Sequence, residues 1–297
     1  MAVASKQQTV DLREPGGWRR SKNQIATFFM WLAFVATLVP LVFVLVTVVS
    51  KGIGAISWQF LSGSPIPPNV LPLGVGGMGP AVVGTLEITG FAALIAIPLG
   101  VLGAVYISEY GGKGFLAKLI AFMADVMTGV PSIVMGLFIF SIWVLHFGYS
   151  GLAGSFALAC LMLPIVIRST YEMLLLVPNE LREASYALGA TKSRVTLTVV
   201  LPSAIGGIVS GALLAVARAA GETAPLLFVI LTVEATNSNL FSGADTALST
   251  QIFVNAQSPY VGAEARAWGA ALTLIVISFA LMLIARIVTA RFTRYTR

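Results

Sequence analysis

Long stretches without a charged side chain alternate with short polar segments along this chain of 297 residues. The uncharged runs cover residues 25–50, 88–108, 126–167 and 267–285. Each run provides roughly the 20 apolar residues with which an α-helix crosses a lipid bilayer. The third run is long enough for two crossings, and residues 146–151 in its middle are typical of a tight turn. A further apolar stretch, 202–233, is interrupted only by Arg218 and Glu222.

This pattern predicts six transmembrane helices and therefore an all-α, polytopic membrane protein. We expect the helices at residues 25–50, 80–108, 119–145, 151–173, 203–232 and 267–288. Residues 1–24 then form a cytoplasmic N-terminal segment, and residues 25–79 form the first transmembrane helix with its outer loop. The main transmembrane domain is expected at 80–290, with a cytoplasmic loop at 178–202, and residues 291–297 form a cytoplasmic tail.

The composition and the placement of basic residues agree with this topology. Hydrophobic residues make up 57% of the chain and charged residues only 10%, whereas soluble domains have about 25% charged residues. Lysine and arginine are concentrated in the N-terminal segment, in every second loop and in the tail, with only Lys51 and Arg266 in the other loops. Because cytoplasmic segments carry this excess, both termini are predicted to be cytoplasmic. The basic charge then fits anionic lipid head groups, and no nucleic-acid partner is expected.

The longest polar insertion on the predicted cytoplasmic face lies between the fourth and fifth helices. Pro178 can begin a short helix in this loop, and Gly189 can end it. Four side chains share one face of that helix at helical spacing: Leu181, Ala184, Ser185 and Leu188. The helix is therefore amphipathic, and it can either fit a groove on a partner protein or lie on the lipid head groups.

The sequence of this loop resembles that of bacterial binding-protein-dependent ABC importer permeases. The family's loop reads Glu-Ala-Ala, three residues, Gly, nine residues, Ile, one residue, Leu-Pro. This chain keeps every spacing from Glu183 to Pro202, with a serine and a valine as mild departures. The resemblance covers roughly residues 80–290 and implies an ABC importer permease core. It also implies that the loop docks into a cleft of a separate ATPase subunit through Glu183, Ala184 and Gly189.

ATP and Mg are expected to bind to partner ATPase subunits, and no cofactor or metal is expected in this chain. No Gly-x-x-x-x-Gly-Lys-Ser/Thr sequence occurs, and the nearest segments, 111–114 and 190–193, lack the glycines that wrap phosphate groups. His146 is the only histidine. A membrane-bound enzyme is disfavoured because no nucleophile, metal-ligand set or acid pair gathers on one predicted face.

Arg218 and Glu222 stand four residues apart inside a predicted transmembrane helix. Inserting an arginine there costs at least about 2.5–3.5 kcal/mol, so the side chain should face the bundle interior or an aqueous path. One interpretation is a self-neutralised pair that holds helices together. The other is an anion site, because the guanidinium fork matches phosphate or sulfate oxygens. Glu222 could then accept a proton from hydrogen phosphate while repelling sulfate.

Arg168 and Glu172 repeat the same spacing near the inner end of the fourth helix. Arg168 could extend its charged end towards the membrane surface, as long basic side chains do. Alternatively, Arg168 is an anion contact on the exit side of the substrate path. Glu87 and Asp125 stand near predicted helix ends, where solvation of a carboxylate is cheap.

Four further segments look like the phosphate-specific branch of these permeases. They are residues 77–85, 107–110, 129–134 and 218–224. The chain is similar to the A-type permease subunits of phosphate importers. This resemblance implies a second homologous permease subunit, two ATPase subunits and an extracytoplasmic phosphate-binding protein in the bacterial cytoplasmic (inner) membrane. It further implies that the substrate path runs between the two permeases and is lined by Arg218.

Two alternatives remain within transport. A permease for sulfate, molybdate or another small oxyanion would be distinguished by which anions compete for uptake. A secondary transporter driven by an ion gradient would have no need of the 178–202 loop, so crosslinking that loop to an ATPase would exclude it.

Overall fold

The computed structural model describes residues 17–65, 76–112, 114–233, 235, 237 and 239–294. Parts of the predicted N-terminal segment, outer loop and tail, at 1–16, 66–75 and 295–297, lie outside the described residues. The chain divides into two units, Met1–Val49 and Ser50–Arg297, and all the packing described below lies within the second unit. Within the described ranges every regular element is helical, which confirms the all-α prediction.

The helices follow one another with short connections. They are α1 (Gly17–Gly52), α2 (Trp58–Ser62), α3 (Gly79–Val105), α4 (Phe115–Gly129), α5 (Ser132–Ile139), α6 (Leu145–Phe147), α7 (Gly151–Leu175), α8 (Asn179–Ala187), α9 (Lys192–Val195), α10 (Leu201–Ala220), α11 (Leu226–Val229), α12 (Leu248–Ala256) and α13 (Val261–Arg294). Three π-helical turns extend them: Tyr106–Tyr110 after α3, Phe140–Val144 between α5 and α6, and Thr196–Val200 between α9 and α10.

Five described helical segments are long and apolar enough to cross a membrane. They cover residues 20–52, 79–110, 151–175, 192–220 and 261–284. The helices α4 to α6 provide a sixth crossing if the bent pair 115–129 and 132–147 counts as one span. The predicted total of six spans agrees with the larger of these two counts. The turn predicted at 146–151 is also present, because Gly148 adopts a φ of +84° just before α7 begins.

The helices α3 and α7 pack closely along their length. Ile88, Ala92 and Ala96 of α3 and Ala153, Ala157 and Met162 of α7 are all fully buried in one apolar cluster. A Cβ atom on Gly100 of α3 would lie only 2.7 Å from Val166 of α7. Small side chains at such positions let helix backbones approach, which is how membrane helices gain packing energy. The pair α3 and α7 therefore forms the closely packed centre of the bundle.

The third crossing is not the single helix predicted at 119–145. The helix α4 ends at Gly129, α5 begins at Ser132, and the two axes are bent by 108°. Pro131 explains the break, because proline lacks a backbone N–H and forces the preceding residue out of the helical region. The chain therefore bends sharply in the middle of this crossing, and the bend shapes the site described next.

The prediction of a continuous fifth helix at 203–232 is wrong at both ends. The span begins earlier, at Lys192, and ends at Ala220, followed by a non-helical stretch before α11. Gly221 stands at the helix end, and Pro225 then begins the short helix α11. Arg218 therefore lies in the last turn of α10 rather than in the middle of a continuous span.

Candidate functional site

The break between α4 and α5 opens onto a cavity of about 340 Å³. Residues 127–132 form one wall, Leu161, Pro164 and Ile165 of α7 form another, and Arg218 and Glu222 complete the lining. This volume falls in the range of small-ligand pockets, roughly 300–1,000 Å³. The structure thus places two of the predicted substrate-path residues, Arg218 and Glu222, on one cavity together with the α4–α5 junction.

The wall formed by residues 127–132 includes the N-terminus of α5. Pro131 stands at the N-cap and supplies no side-chain hydrogen bond to the helix. The first backbone N–H groups of an α-helix have no partner inside the helix, and they carry its positive dipole end. Such helix N-termini are suited to small anions. The cavity therefore combines backbone donors on one side with a guanidinium on the other.

Arg218 makes only a loose contact with Glu222. Its Nε atom lies 3.8 Å from Glu222 Oε1, and the side chains are 70% and 22% exposed, respectively. That distance exceeds the 2.7–3.2 Å typical of a hydrogen bond to oxygen, and exposed ion pairs contribute about 0–1 kcal/mol. A pair whose role is to hold helices together should be shorter and better buried. The geometry favours a guanidinium that is accessible to a ligand.

The stretch that carries Glu222 is fixed by contacts on two sides. Ser249 Oγ of α12 donates a hydrogen bond of 2.9 Å to the carbonyl oxygen of Glu222. Gly136 of α5 lies against Pro225, where an added Cβ would come within 2.6 Å of the Pro225 Cα. Glycine is therefore required at this close approach. The first contact holds this stretch against α12, and the second lets α5 approach it closely next to the cavity.

Arg168 does not line the cavity but lies next to it. It stands three residues after Ile165 on α7, on the same helical face and one turn nearer α8. Its guanidinium pairs with Asp125 of α4, which lies one turn before Gly129, and both side chains are about half exposed. The ion pair thus bridges α4 and α7 on the α8 side of the cavity.

This contact changes the interpretation of Arg168. The sequence spacing suggests Glu172, which is exposed on the same helix, whereas the structure pairs Arg168 with Asp125 across two helices. Sequence spacing shows neighbours within a helix, and the approach of α4 to α7 is a tertiary feature that it does not contain. In the sequence, Asp125 is distinguished only by its position near a helix end.

The predicted amphipathic helix of the cytoplasmic loop is present as α8. Pro178 stands at its N-cap, and the helix is closed by a pair of backbone hydrogen bonds, Gly189 N to Tyr186 O and Ala190 N to Ser185 O. These two bonds with a left-handed residue between them form a Schellman motif. Gly189 takes that position with a φ of +79°, as its predicted role at the helix end requires.

The helix α8 presents an exposed surface that includes all three predicted coupling residues. Glu183, Ala184 and Gly189 are exposed, and Leu188 is 90% exposed. Leu181 and Tyr186 add further exposed apolar area, at 45% and 42%. Apolar side chains exposed together on a polar segment mark an interaction surface. The structure does not bring this surface together with the cavity, because one is formed by α8 and the other by α4, α5, α7 and α10.

The connection between α11 and α12 holds a buried carboxyl group. Asp245 is 1% exposed, and its Oδ1 accepts a hydrogen bond of 2.7 Å from the backbone N–H of Thr246. Burial raises the pKa of Asp245, and the negative charge of Glu87 raises it further, although the Thr246 hydrogen bond acts in the opposite direction. Asp245 N also donates to Ile230 O at 2.9 Å. Because the charge of Glu87 influences Asp245, Glu87 lies near this connection, and it is not among the residues that line the cavity.

Sequence reasoning missed the part of the site formed by the α4–α5 junction. Residues 129–134 stand out in the sequence only for their family resemblance, and Pro131 is only one of several prolines in apolar runs. The available signal was the close combination of Gly129 and Pro131, which together favour a break over a kink.

A broken crossing and an arginine that line one cavity, within an apolar helical bundle, are typical of a membrane transport subunit. The family of binding-protein-dependent transport system inner membrane components matches residues 96–294. The match covers more than half of the chain, and the chain belongs to this family.

Several relatives are phosphate transport system permease proteins named PstA. PstA 1 of Mycobacterium tuberculosis strain H37Rv is 42% identical over 284 residues, which cover 94% of this chain and 91% of the relative. PstA of Yersinia pestis is 39% identical over 285 residues, or 94% of each chain. The resemblance to the phosphate-specific A-type permeases, predicted from four short segments, is confirmed.

Solved structures with the same fold are ABC transporters. A bacterial alginate ABC transporter, in complex with an alginate-bound periplasmic protein, matches with a TM-score of 0.62 over 93% of this chain and 98% of its own, at 16% identity. The MetNI methionine ABC transporter matches with a TM-score of 0.55 over 71% of this chain and 94% of its own, at 20% identity. At these identities the matches show the fold alone, and they confirm the predicted importer permease core.

Proposed function

We propose that this chain is the transmembrane permease subunit of an ATP-driven importer for inorganic phosphate. The observation that carries the proposal is the cavity that the exposed Arg218 and the N-terminus of α5 line together. The names of the PstA relatives support phosphate as the substrate. The chain itself performs no covalent chemistry and moves the anion between two conformations of the bundle.

In this proposal the phosphate oxygens bind between the Arg218 guanidinium and the backbone N–H groups at the start of α5. The backbone N–H groups are donors fixed by the helix, the guanidinium carries a permanent charge, and bidentate contacts between arginine and phosphate are among the stronger hydrogen bonds. Glu222, 3.8 Å from Arg218, acts on selectivity. Hydrogen phosphate carries a proton that it can donate to the carboxylate, whereas sulfate has none and is repelled.

Arg168 then acts on the exit side. The Arg168–Asp125 pair lies one turn from the cavity on the α8 side. An anion that leaves Arg218 in that direction meets this pair, and it can replace the Asp125 carboxylate as the partner of Arg168. Because the two side chains are half exposed, exchanging one anion for the other costs little desolvation.

The driving force comes from outside this chain. The helix α8 docks into a cleft of an ATPase subunit through Glu183, Ala184 and Gly189, and ATP and Mg are bound by two such subunits. A second homologous permease completes the path, and an extracytoplasmic phosphate-binding protein delivers the anion to the outer loops. The exposed apolar side chains of α8 support the first contact. The family's dependence on binding proteins supports the last.

The excess of lysine and arginine in alternate segments supports an arrangement in the bacterial cytoplasmic membrane with both termini inside. Ligand binding can drive such a transporter only by binding its two conformations differently. The role of ATP is therefore to change which conformation α8 favours.

The proposal is tested by uptake in vesicles that contain the permease and its presumed partners. Phosphate uptake should require ATP, and excess phosphate but not sulfate should compete for it. Glu222→Gln should lower the preference for phosphate over sulfate by roughly tenfold, because the repulsion of sulfate is lost. Glu172→Gln is the matched control, since it removes an exposed carboxylate away from the cavity. Equal competition by the two anions in the parent protein would point to a general oxyanion permease.

The close contact between Gly136 and Pro225 provides a separate prediction about cavity width. Gly136→Ala should lower phosphate uptake several-fold, because overpacking of this kind typically costs about 1–3 kcal/mol and must move α5 away from the end of α10. Gly90→Ala on α3 is the control, since a Cβ there meets nothing within 4 Å. Uptake and thermal stability in detergent would be measured for both variants. Equal uptake by the two would show that cavity width does not limit transport.

A further inference from the structure

The coupling segment, residues 178–195, is attached to the inner end of α3 by two basic side chains. The attachment point is the π-helical turn Tyr106–Tyr110. Arg182 Nη2 of α8 donates a hydrogen bond of 2.9 Å to Glu109 Oε1. Lys192 of α9 places its Nζ atom 5.3 Å from the centre of the Tyr110 ring, within the range of a cation–π contact. Both helices of the segment thus contact the same turn.

Arg182 also closes the end of α7. The same Nη2 atom donates to Leu174 O at 2.9 Å, and Nη1 donates to Val177 O at 2.6 Å. Carbonyl groups at the end of an α-helix have no partner inside the helix, and the negative dipole end favours a cation. One guanidinium therefore joins three elements: the end of α7, the helix α8 and the turn after α3.

The Arg182–Glu109 ion pair is largely shielded from water. Its side chains are only 14% and 6% exposed, compared with 70% and 22% for Arg218 and Glu222. A charged hydrogen bond shielded from water is stronger than an exposed one and is disrupted more severely when one partner is removed. The contact is therefore suited to transmit a displacement of α8 to the turn after α3.

The position of Glu109 is set by the π-helical turn itself. Such turns add one residue to a helical turn, and they often mark functional positions. Ser108 Oγ donates to Glu109 Oε1 at 3.1 Å, so the carboxylate oxygen that meets Arg182 is held on both sides. Residues 107–110 are one of the four segments that carry the family resemblance, and the resemblance itself gives them no role.

We propose that Glu109 is a positioning residue that ties α8 to α3, so that a displacement of α8 moves α3 and α7 together. The inference rests on the proposed function, because it needs an ATPase that displaces α8. Since α3 and α7 pack closely in one buried cluster, a contact at their common inner end would let a displacement of α8 move both helices. Without the tie, α8 could follow the ATPase while the bundle stays behind.

The test compares the parent with Glu109→Gln, Arg182→Gln and the double variant in the reconstituted importer. The measured quantity is phosphate taken up per ATP hydrolysed, at equal amounts of assembled complex. Each single variant should lower this ratio by roughly fivefold or more, the lower end of typical allosteric coupling. The double variant should be no worse than Arg182→Gln, because that single variant has already lost the contact with Glu109. Glu172→Gln, again the control, should keep the parental ratio.

A second measurement does not depend on transport. In the full permease without partners, Glu109→Gln should speed amide hydrogen exchange in α8 roughly tenfold, because a charged hydrogen bond that orders the helix is lost. An unchanged uptake ratio, or lower complex yield with an unchanged ratio, would overturn the inference. So would unchanged exchange in α8. If instead the parent complex transports no phosphate, the proposed function fails, and the exchange result alone decides whether Glu109 holds α8.

Discussion

Replacing Arg218 by alanine is expected to lower phosphate uptake by the assembled importer by roughly two orders of magnitude. Among the described residues that line the cavity, Arg218 provides the one cationic group, and it is 70% exposed. In the proposed site, its removal takes away a bidentate partner of the anion and leaves Glu222 as an uncompensated negative charge in the cavity. The anion then meets repulsion where it had met attraction. Uptake of labelled phosphate into vesicles, normalised to assembled complex, measures the effect.

Arg218→Lys separates charge from geometry. Lysine keeps the positive charge but offers a point charge in place of a planar fork. If the fork binds the anion, the lysine variant should also transport poorly, with a weaker apparent affinity for phosphate. A lysine or alanine variant within twofold of the parent would assign Arg218 to another task, the neutralisation of the negative end of α10.

Gly189→Val is expected to separate ATP hydrolysis from transport. Gly189 has a φ of +79°, a conformation that a β-branched residue adopts only with strain. An added Cβ would meet nothing within 4 Å, so the effect is on backbone conformation and not on packing. The Schellman motif that closes α8 should open, and the surface formed by Glu183 and Ala184 should lose its shape. We expect uptake to fall by roughly tenfold or more while the bundle itself stays folded.

Gly189→Asn is the matched control for this prediction. Asparagine tolerates the left-handed conformation far better than valine does, although it adds a larger side chain at the same exposed position. Uptake and phosphate-stimulated ATP hydrolysis would be compared in the two variants. If asparagine impairs coupling as much as valine does, Gly189 matters through close contact with the ATPase and not through its backbone conformation.

The sequence predicted the number and positions of the apolar helices well, because a bilayer-spanning helix needs about 20 apolar residues and hydropathy averaged over that length detects it. It did not predict where helices break. Pro98 and Pro164 lie inside the continuous helices α3 and α7, whereas Pro131 and Pro225 lie at breaks. In a bundle, neighbouring helices can restore the hydrogen bonding that a proline disturbs. Proline alone therefore does not decide between a kink and a break.

The candidate site was predictable only in part for a related reason. Arg218 and Glu222 were detectable because charges are rare in apolar helices. The short helix α8 was detectable from its capping residues and from the sequence motif of its loop. The pairs Arg168–Asp125 and Arg182–Glu109 join distant parts of the chain. Each depends on how helices pack, and spacing within one helix contains no such information.

The break between α4 and α5 also sets limits for protein engineering. From Gly129 to Pro131 the cavity wall has no polar side-chain atoms, whereas Thr128 and Ser132 on either side carry hydroxyl groups. Substitutions of Gly129 or Pro131 would disturb the bend itself. A library designed to give the permease a new anion preference should therefore vary positions 128, 132, 218 and 222 and leave Gly129 and Pro131 untouched. The site can then be retuned from both sides without altering the bend.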